Sequence, residues 1–336
     1  MGDVALLLPV LKAIAEQQPT IEITLVTRKK FAVFFEGLKN IYVFEADFEG
    51  KHKDFAGLAS LYQDLKNMAA YDCIVDVHQN LRSLVLKGLF MFSGVKNVTI
   101  DKGRAEKKAL TRKKNKVLKP LKHTVERYQE TLAEAGIVVN LPPEVLIQTQ
   151  EINLLNPFFA ENNLIFPKSG KWLGIAPFAQ HSQKMWAFEN FNLLLKQIYQ
   201  AFPAIQVFLF GGGNAEIRQL ESLQAAFPQV YIVAGKLNLS QELSLMKNLD
   251  LMLCMDSGNM HLASLCGVQT LSIWGATHQF AGFSPYGKNT VIEIPVEELT
   301  CRPCSVFGNK PCWRGDLACL TQISSEMVFE KLKILL

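Results

Sequence analysis

Residues 249–278 restrict the fold of this chain more than any other stretch. The apolar run at 249–255 reads as a buried strand. It stops at Asp256-Ser257-Gly258, a cluster that turns the chain and caps a helix. The short helix that follows packs Met260, Leu262, Ala263 and Leu265, and ends at Gly267. A second strand then runs into Gly275-Ala276-Thr277. In this order the elements bring free backbone N–H groups and the positive end of a helix dipole to the carboxyl edge of a sheet. Parallel α/β folds hold phosphate there. His261 in the first helical turn and Thr277 beyond the next strand add side-chain donors at the same edge. The plainer alternative is an ordinary βαβ unit with a well-capped helix.

The rest of the chain repeats the alternation twice. In the first half, Val4, Leu7, Leu8 and Leu11 keep helical spacing, with Pro9 forcing a kink or a late start. Strands are expected at 21–26, 41–44 and 73–77, and helices at 55–68, 82–92 and 124–135. Residues 153–170, with Pro157 and Pro167, read as an interdomain connection. The second half restarts with strands at 173–176, 207–210 and 231–233, and helices at 216–226 and 241–248. Its amphipathic tail begins after Ser324, an N-cap. Two βα arrays in tandem predict two Rossmann-like domains, 1–160 and 161–336.

At 336 residues, 49% hydrophobic and 20% charged, the composition is that of a globular protein. No apolar run reaches the roughly 18 residues a membrane helix needs, and Met1-Gly2-Asp3 opens no signal-peptide pattern. A cytoplasmic location is the expectation. The net charge of +4 is uneven: residues 102–122 hold ten Lys/Arg against the single acid Glu106, so that segment carries +9 and the remainder −5. Such a patch suits a local polyanion, or else is a solvated, mobile loop. It lacks the aromatic residues that stack bases, and no finger or recognition helix adjoins it, so nucleic acid is not expected. Gly211-Gly212-Gly213 breaks the dinucleotide fingerprint where Glu216 replaces the third glycine, which disfavours a dehydrogenase. Cys301, Cys304, Cys312 and Cys319 form a loop among prolines and glycines. A zinc site is conceivable there, but the spacing is irregular, and the loop is read as structural with no metal expected.

Met255-Asp256-Ser257-Gly258-x-Met260-His261-Leu262-Ala263 and Trp274-Gly275-Ala276-Thr277 closely resemble the signature of the ADP-heptose:lipopolysaccharide heptosyltransferases, glycosyltransferase family 9. Gly2-Asp3-Val4, Asp76-x-His78-x-Asn80-x-Arg82-Ser83, His123 with Arg127-Tyr128, and Lys184-x-Trp186 occur in that family's order. The resemblance implies a GT-B architecture and transfer of heptose from ADP-heptose to a lipopolysaccharide inner core, inverting and without metal or other cofactor. It also implies peripheral contact with the cytoplasmic face of the inner membrane. Family members carry a strand before the Gly-Asp turn, where only Met1 stands here. The first strand is therefore expected to be missing, with the gene product extending upstream of Met1.

Asp3 matches the family's catalytic aspartate and is the candidate base; as a residue type it equally suits a helix N-cap. Lys184 follows a strand and is the leading diphosphate ligand, with Ser182 as a neutral donor; the alternative is a surface lysine. Asp256 either caps its helix or orients donor-sugar hydroxyls, leaving Ser257, Gly258 and His261 facing phosphate and Thr277 beside them. Glu216 stands where the family holds a ribose-binding acid. His78, Asn80 and Arg82, with Lys107, Lys108, Lys113 and Lys114 of the basic run, form the expected acceptor side. Two rivals stay open: another nucleotide sugar on a surface glycan, and a non-catalytic anionic-glycan or nucleic-acid binder.

Overall fold

The computed structural model describes residues 1–336. In chain order the elements are α1 (Gly2–Ala5), α2 (Leu8–Gln17), β1 (Ile23–Thr27), β2 (Ile41–Glu45), α3 (Phe55–Met68), β3 (Cys73–Asp76), α4 (Leu81–Phe92), β4 (Lys96–Thr99), α5 (Arg104–Thr111) and α6 (Thr124–Glu134). After them come α7 (Asn156–Glu161), β5 (Trp172–Ala176), α8 (Glu189–Ala201), β6 (Gln206–Leu209), α9 (Gly213–Ala226), β7 (Val230–Ile232) and α10 (Leu239–Met246). The chain closes with β8 (Leu251–Met255), α11 (Gly258–Leu265), β9 (Thr270–Ile273), β10 (Asn289–Ile292), α12 (Ala318–Thr321) and α13 (Ser325–Leu335). None of the helices is long and apolar enough to cross a membrane. The α/β class and the parallel strands are as the sequence predicts.

The chain divides into two compact units, one of Met1, Asp3–Arg104 and Lys122–Val145, the other of Gly2, Ala105–Leu121 and Leu146–Leu336. The division falls at 145/146 instead of 160/161, because the expected connection at 153–170 is packed structure. Ile147 N–H bonds the Leu265 carbonyl at 2.8 Å, and Phe159 of α7 meets the Trp172 ring at 5.8 Å. The basic run also differs from a mobile loop. Part of it is helix α5, Leu121 N–H bonds the Phe280 carbonyl at 2.9 Å, and residues 105–121 group with the second unit.

In the first unit α2 starts late, with Pro9 in its first turn where a missing N–H costs nothing, and buries Leu8, Val10, Leu11 and Ile14. β1 pairs with β2 and β3 with β4, both parallel. No strand joins the two pairs, and β1 is only partly buried except at Thr27. Leu58, Leu61 and Leu65 of α3 meet Phe90 of α4 in the core. Asp54 caps α3 by accepting the Gly57 N–H at 2.8 Å.

The second unit is a six-stranded parallel sheet in the order β10-β9-β8-β5-β6-β7. Its central strands β5 and β8 are buried along their whole length, in register from Leu173↔Leu251 to Ala176↔Cys254. Fully buried strands read as continuous apolar runs instead of alternating ones, as Leu251–Met255 does. α13 packs on α8, and Ser324 accepts the Met327 N–H at 3.2 Å as the expected cap.

Gly57 tests the close docking of α3. A Cβ there would come 2.6 Å from the Lys51 carbonyl and 2.9 Å from His52 Cα, both main-chain atoms that a rotamer change cannot move. Gly57→Ala should cost about 1–3 kcal/mol in urea unfolding; an unchanged midpoint would contradict this packing.

Candidate functional site

In the second unit the strand order runs outward from β5 to β7, then restarts on the other side at β8. The carboxyl ends of β5 and β8 therefore meet at a topological switch point, where open α/β sheets take ligands. β5 leads into a 3-10 turn, Ser182–Lys184, closed by the Lys184 N–H on the His181 carbonyl at 3.0 Å. The stem of Lys184 lies on Gly308, where a Cβ would come 2.7 Å from Lys184 Cγ. The lysine is thus packed in place, and Lys184 Nζ reaches Asp256 Oδ2 at 2.8 Å. Thr277 Oγ1 donates to the same carboxylate oxygen at 2.7 Å. Three residues from the ends of β5, β8 and β9 converge on one buried point.

Asp256 does not cap α11. Ser257 is the N-cap, in extended backbone and without a side-chain cap bond, and its hydroxyl is buried without a partner. Gly258 opens the helix, and His261 lies buried in its first turn. The first N–H groups of a helix have no partner within it, so α11 offers them at the switch point. Glu216 of α9 accepts the Gly212 N–H at 2.8 Å, closing its own loop. Ser182 is exposed at the start of its turn.

The loop after β9 is held by groups that the sequence reading did not single out. Arg302 is fully buried. Its guanidinium donates to the carbonyls of Gly275 (2.7 Å), Thr277 (3.1 Å), Trp274 (3.3 Å) and Ile294, and to Glu293 Oε2 at 2.8 Å. Glu293 Oε1 is also 3.3 Å from His278 Nε2. His278 Nδ1 accepts the Phe280 N–H at 3.1 Å, so Nε2 carries the proton that faces Glu293. Gly275 is required here, since a Cβ would come 2.7 Å from the Gln183 carbonyl. Burial works against ionisation of Glu293, but the His278 hydrogen bond and the Arg302 charge outweigh it and hold the carboxyl below its ordinary 4.5.

In the first unit Asp3 lies within α1 with an exposed side chain, not at a helix cap, and its carbonyl accepts the Tyr128 hydroxyl at 3.1 Å. Asp76 closes the turn after β3, accepting the N–H groups of His78 (3.0 Å) and Gln79 (2.7 Å). Asn80 is committed to α4 as its N-cap: it accepts the Ser83 N–H at 2.8 Å, and Ser83 Oγ accepts the Asn80 N–H at 2.9 Å. Arg82 lies over the Phe48 ring at 5.1 Å. Of the basic-run candidates, Lys108, Lys113 and Lys114 are exposed, whereas Lys107 is buried with its ammonium 4.3 Å from the Phe283 ring. All four belong to the second unit, not to the 1–160 domain expected from the sequence. The four loop cysteines are free thiols, and no group of three or more His, Cys, Asp or Glu side chains is arranged to hold a metal ion.

The profile of "Glycosyltransferase family 9 (heptosyltransferase)" matches residues 58–310. The chain belongs to that family. Lipooligosaccharide heptosyltransferase 2 of Campylobacter jejuni is 28% identical over 178 residues, 52% of this chain and 54% of that protein. The match thus spans about half the length of that relative. The lipopolysaccharide core heptosyltransferase OpsX of Haemophilus influenzae is 23% identical over 99% of this chain and 93% of its own. Among solved structures, the E. coli heptosyltransferase WaaC with ADP shares the fold at a TM-score of 0.67. It is 18% identical, over 100% of this chain and 97% of that one. The GT-B architecture of the family accords with the parallel sheet of the second unit.

Because the folded Glu293 carboxyl titrates below its unfolded value, its stabilisation is complete above about 4.5 and lost as pH falls through the folded pKa. Glu293→Gln should cost about 1–3 kcal/mol at neutral pH. The gap to the parent should close in acid. Urea titrations across this pH range read both, and a gap independent of pH would contradict the network.

Proposed function

We propose that this chain transfers a heptosyl unit from ADP-heptose to the inner core of a lipid A-linked lipopolysaccharide, inverting the anomeric centre and needing no metal. The observation that carries the reading is the convergence of Lys184, Asp256 and Thr277 at the switch point beside the N-terminus of α11. A diphosphate entering there takes the Lys184 ammonium and the α11 N–H groups, which neutralise charge developing on the departing ADP. Lysine and helix together perform the task a divalent cation would otherwise serve. Asp256, released from Lys184, accepts hydrogen bonds from hydroxyls of the donor sugar. Asp3 takes the proton of the acceptor hydroxyl as its oxygen attacks the anomeric carbon from the face opposite the diphosphate.

The acceptor is polyanionic, which suits the exposed Lys108, Lys113 and Lys114 and the His78–Arg82 turn. A lipid-linked acceptor implies action at the cytoplasmic face of a membrane. The relatives' names support heptose and the lipopolysaccharide core, and the ADP in the WaaC structure supports an adenine nucleotide. ADP-heptose should raise the melting temperature more than UDP- or GDP-sugars; equal or better protection by those sugars would move the reading to another donor.

Asp3→Asn should nearly abolish turnover and leave donor affinity within a few-fold, and near-parental activity would end its role as base. Lys184→Ala and Asp256→Ala should each weaken donor binding by about 1.5–3 kcal/mol in calorimetry. Unchanged titrations for both would count against this site. Activity should survive EDTA.

A further inference from the structure

Helix α4 is apolar on nearly every side, although only one side faces the core. Phe90 is buried, and Leu86 packs against the same cluster. The opposite side is open: Leu81 is 81% exposed, Leu84 56%, Met91 60% and Phe92 89%. At 100° per residue these four, with Gly88 between them, fall within an arc of about 100°. A Cβ on Gly88 would meet nothing within 4 Å, so the stripe is unobstructed at its middle. Soluble monomers rarely present such a contiguous apolar stripe without a partner for it.

The charge on the helix and its flanking turns has one sign. Residues 77–100 contain Arg82, Lys87 and Lys96 and no Asp or Glu. Lys87 donates to Thr99 Oγ1 at 2.7 Å and Lys96 to the Glu134 carbonyl at 3.1 Å, both neutral acceptors. Arg82 rests on the Phe48 ring. None of the three is in an ion pair, so each keeps donors for an anionic partner. An isologous dimer through α4 would bring these like charges together. An anionic bilayer satisfies both features at once: acyl chains take the stripe and headgroups take the cations.

We propose that α4 is a membrane-docking helix, which lies in the plane of an anionic lipid surface with Leu81, Leu84, Met91 and Phe92 immersed. The surface is distinct in sequence from the basic run at 102–122, and docking requires neither donor nor acceptor.

Vesicle co-sedimentation of the full chain tests it. The protein should bind phosphatidylcholine vesicles that contain phosphatidylglycerol, and not phosphatidylcholine alone. The triple variant Leu84→Asn, Met91→Asn, Phe92→Asn should lose at least about tenfold in partition, while its ADP titration and thermal unfolding match the parent's. The pair Lys87→Gln, Lys96→Gln should bind severalfold more weakly and with a flatter salt dependence. Undiminished binding by the triple variant, or equal binding of the parent to neutral vesicles, would overturn the proposal. So would a parental dimer that the triple variant converts to monomer, since a second copy would then be the occupant. Failure of the glycosyl-transfer reading would appear separately, as a parent that binds vesicles but not ADP or ADP-heptose.

Discussion

The pairing of β5 with β8 is the constraint on which the second unit depends. These two strands are sequence neighbours of neither one another nor a common hairpin, and 74 residues separate Ala176 from Leu251. Burying both along their full length leaves their carboxyl ends as the place where two chain segments of different origin emerge side by side. Ligand edges of such sheets are set by topology before any functional residue is chosen. Lys184 leaves one strand and Asp256 the other, so an ion pair between them reports the strand order directly.

Around that crevice, side chains replace secondary structure as the organising force. The loop after β9 has no helix to hold its carbonyls, and buried carbonyls need donors. Arg302 provides them from within the cysteine-bearing loop, and Glu293 offsets its charge. Lys116 acts alike at the loop's other side, its ammonium within 2.8–3.2 Å of four successive carbonyls from Thr300 to Pro303. Stripped of such partners the buried Arg302 would be strongly destabilising, and loss of the half-buried Lys116 would leave four carbonyls without their donor.

Legibility in the sequence followed the range of the forces involved. The helix at 55–68, the Ser324 cap and the 249–255 strand rest on local periodicity and capping, and were readable. Lys184, Asp256 and Thr277 were also readable, because each follows a strand and the resemblance marked them. Arg302, Glu293 and His278 were not, since nothing local distinguishes a buried charged residue from a surface one. Lys107 was misleading for the same reason: in a run of cations, only the fold reveals which one lies under Phe283. The boundary at 145/146 escaped because two prolines suggested a linker where α7 packs onto Trp172.

The ion pair at the switch point also governs what can leave. Lys184 and Asp256 satisfy each other, so an anion that captures the lysine leaves the buried carboxylate with the Thr277 hydroxyl alone unless it brings hydroxyl donors of its own. On the proposed donor-site reading, the transferred sugar would bring such donors, and after its departure the carboxylate would again compete with the nucleotide's diphosphate for the Lys184 ammonium.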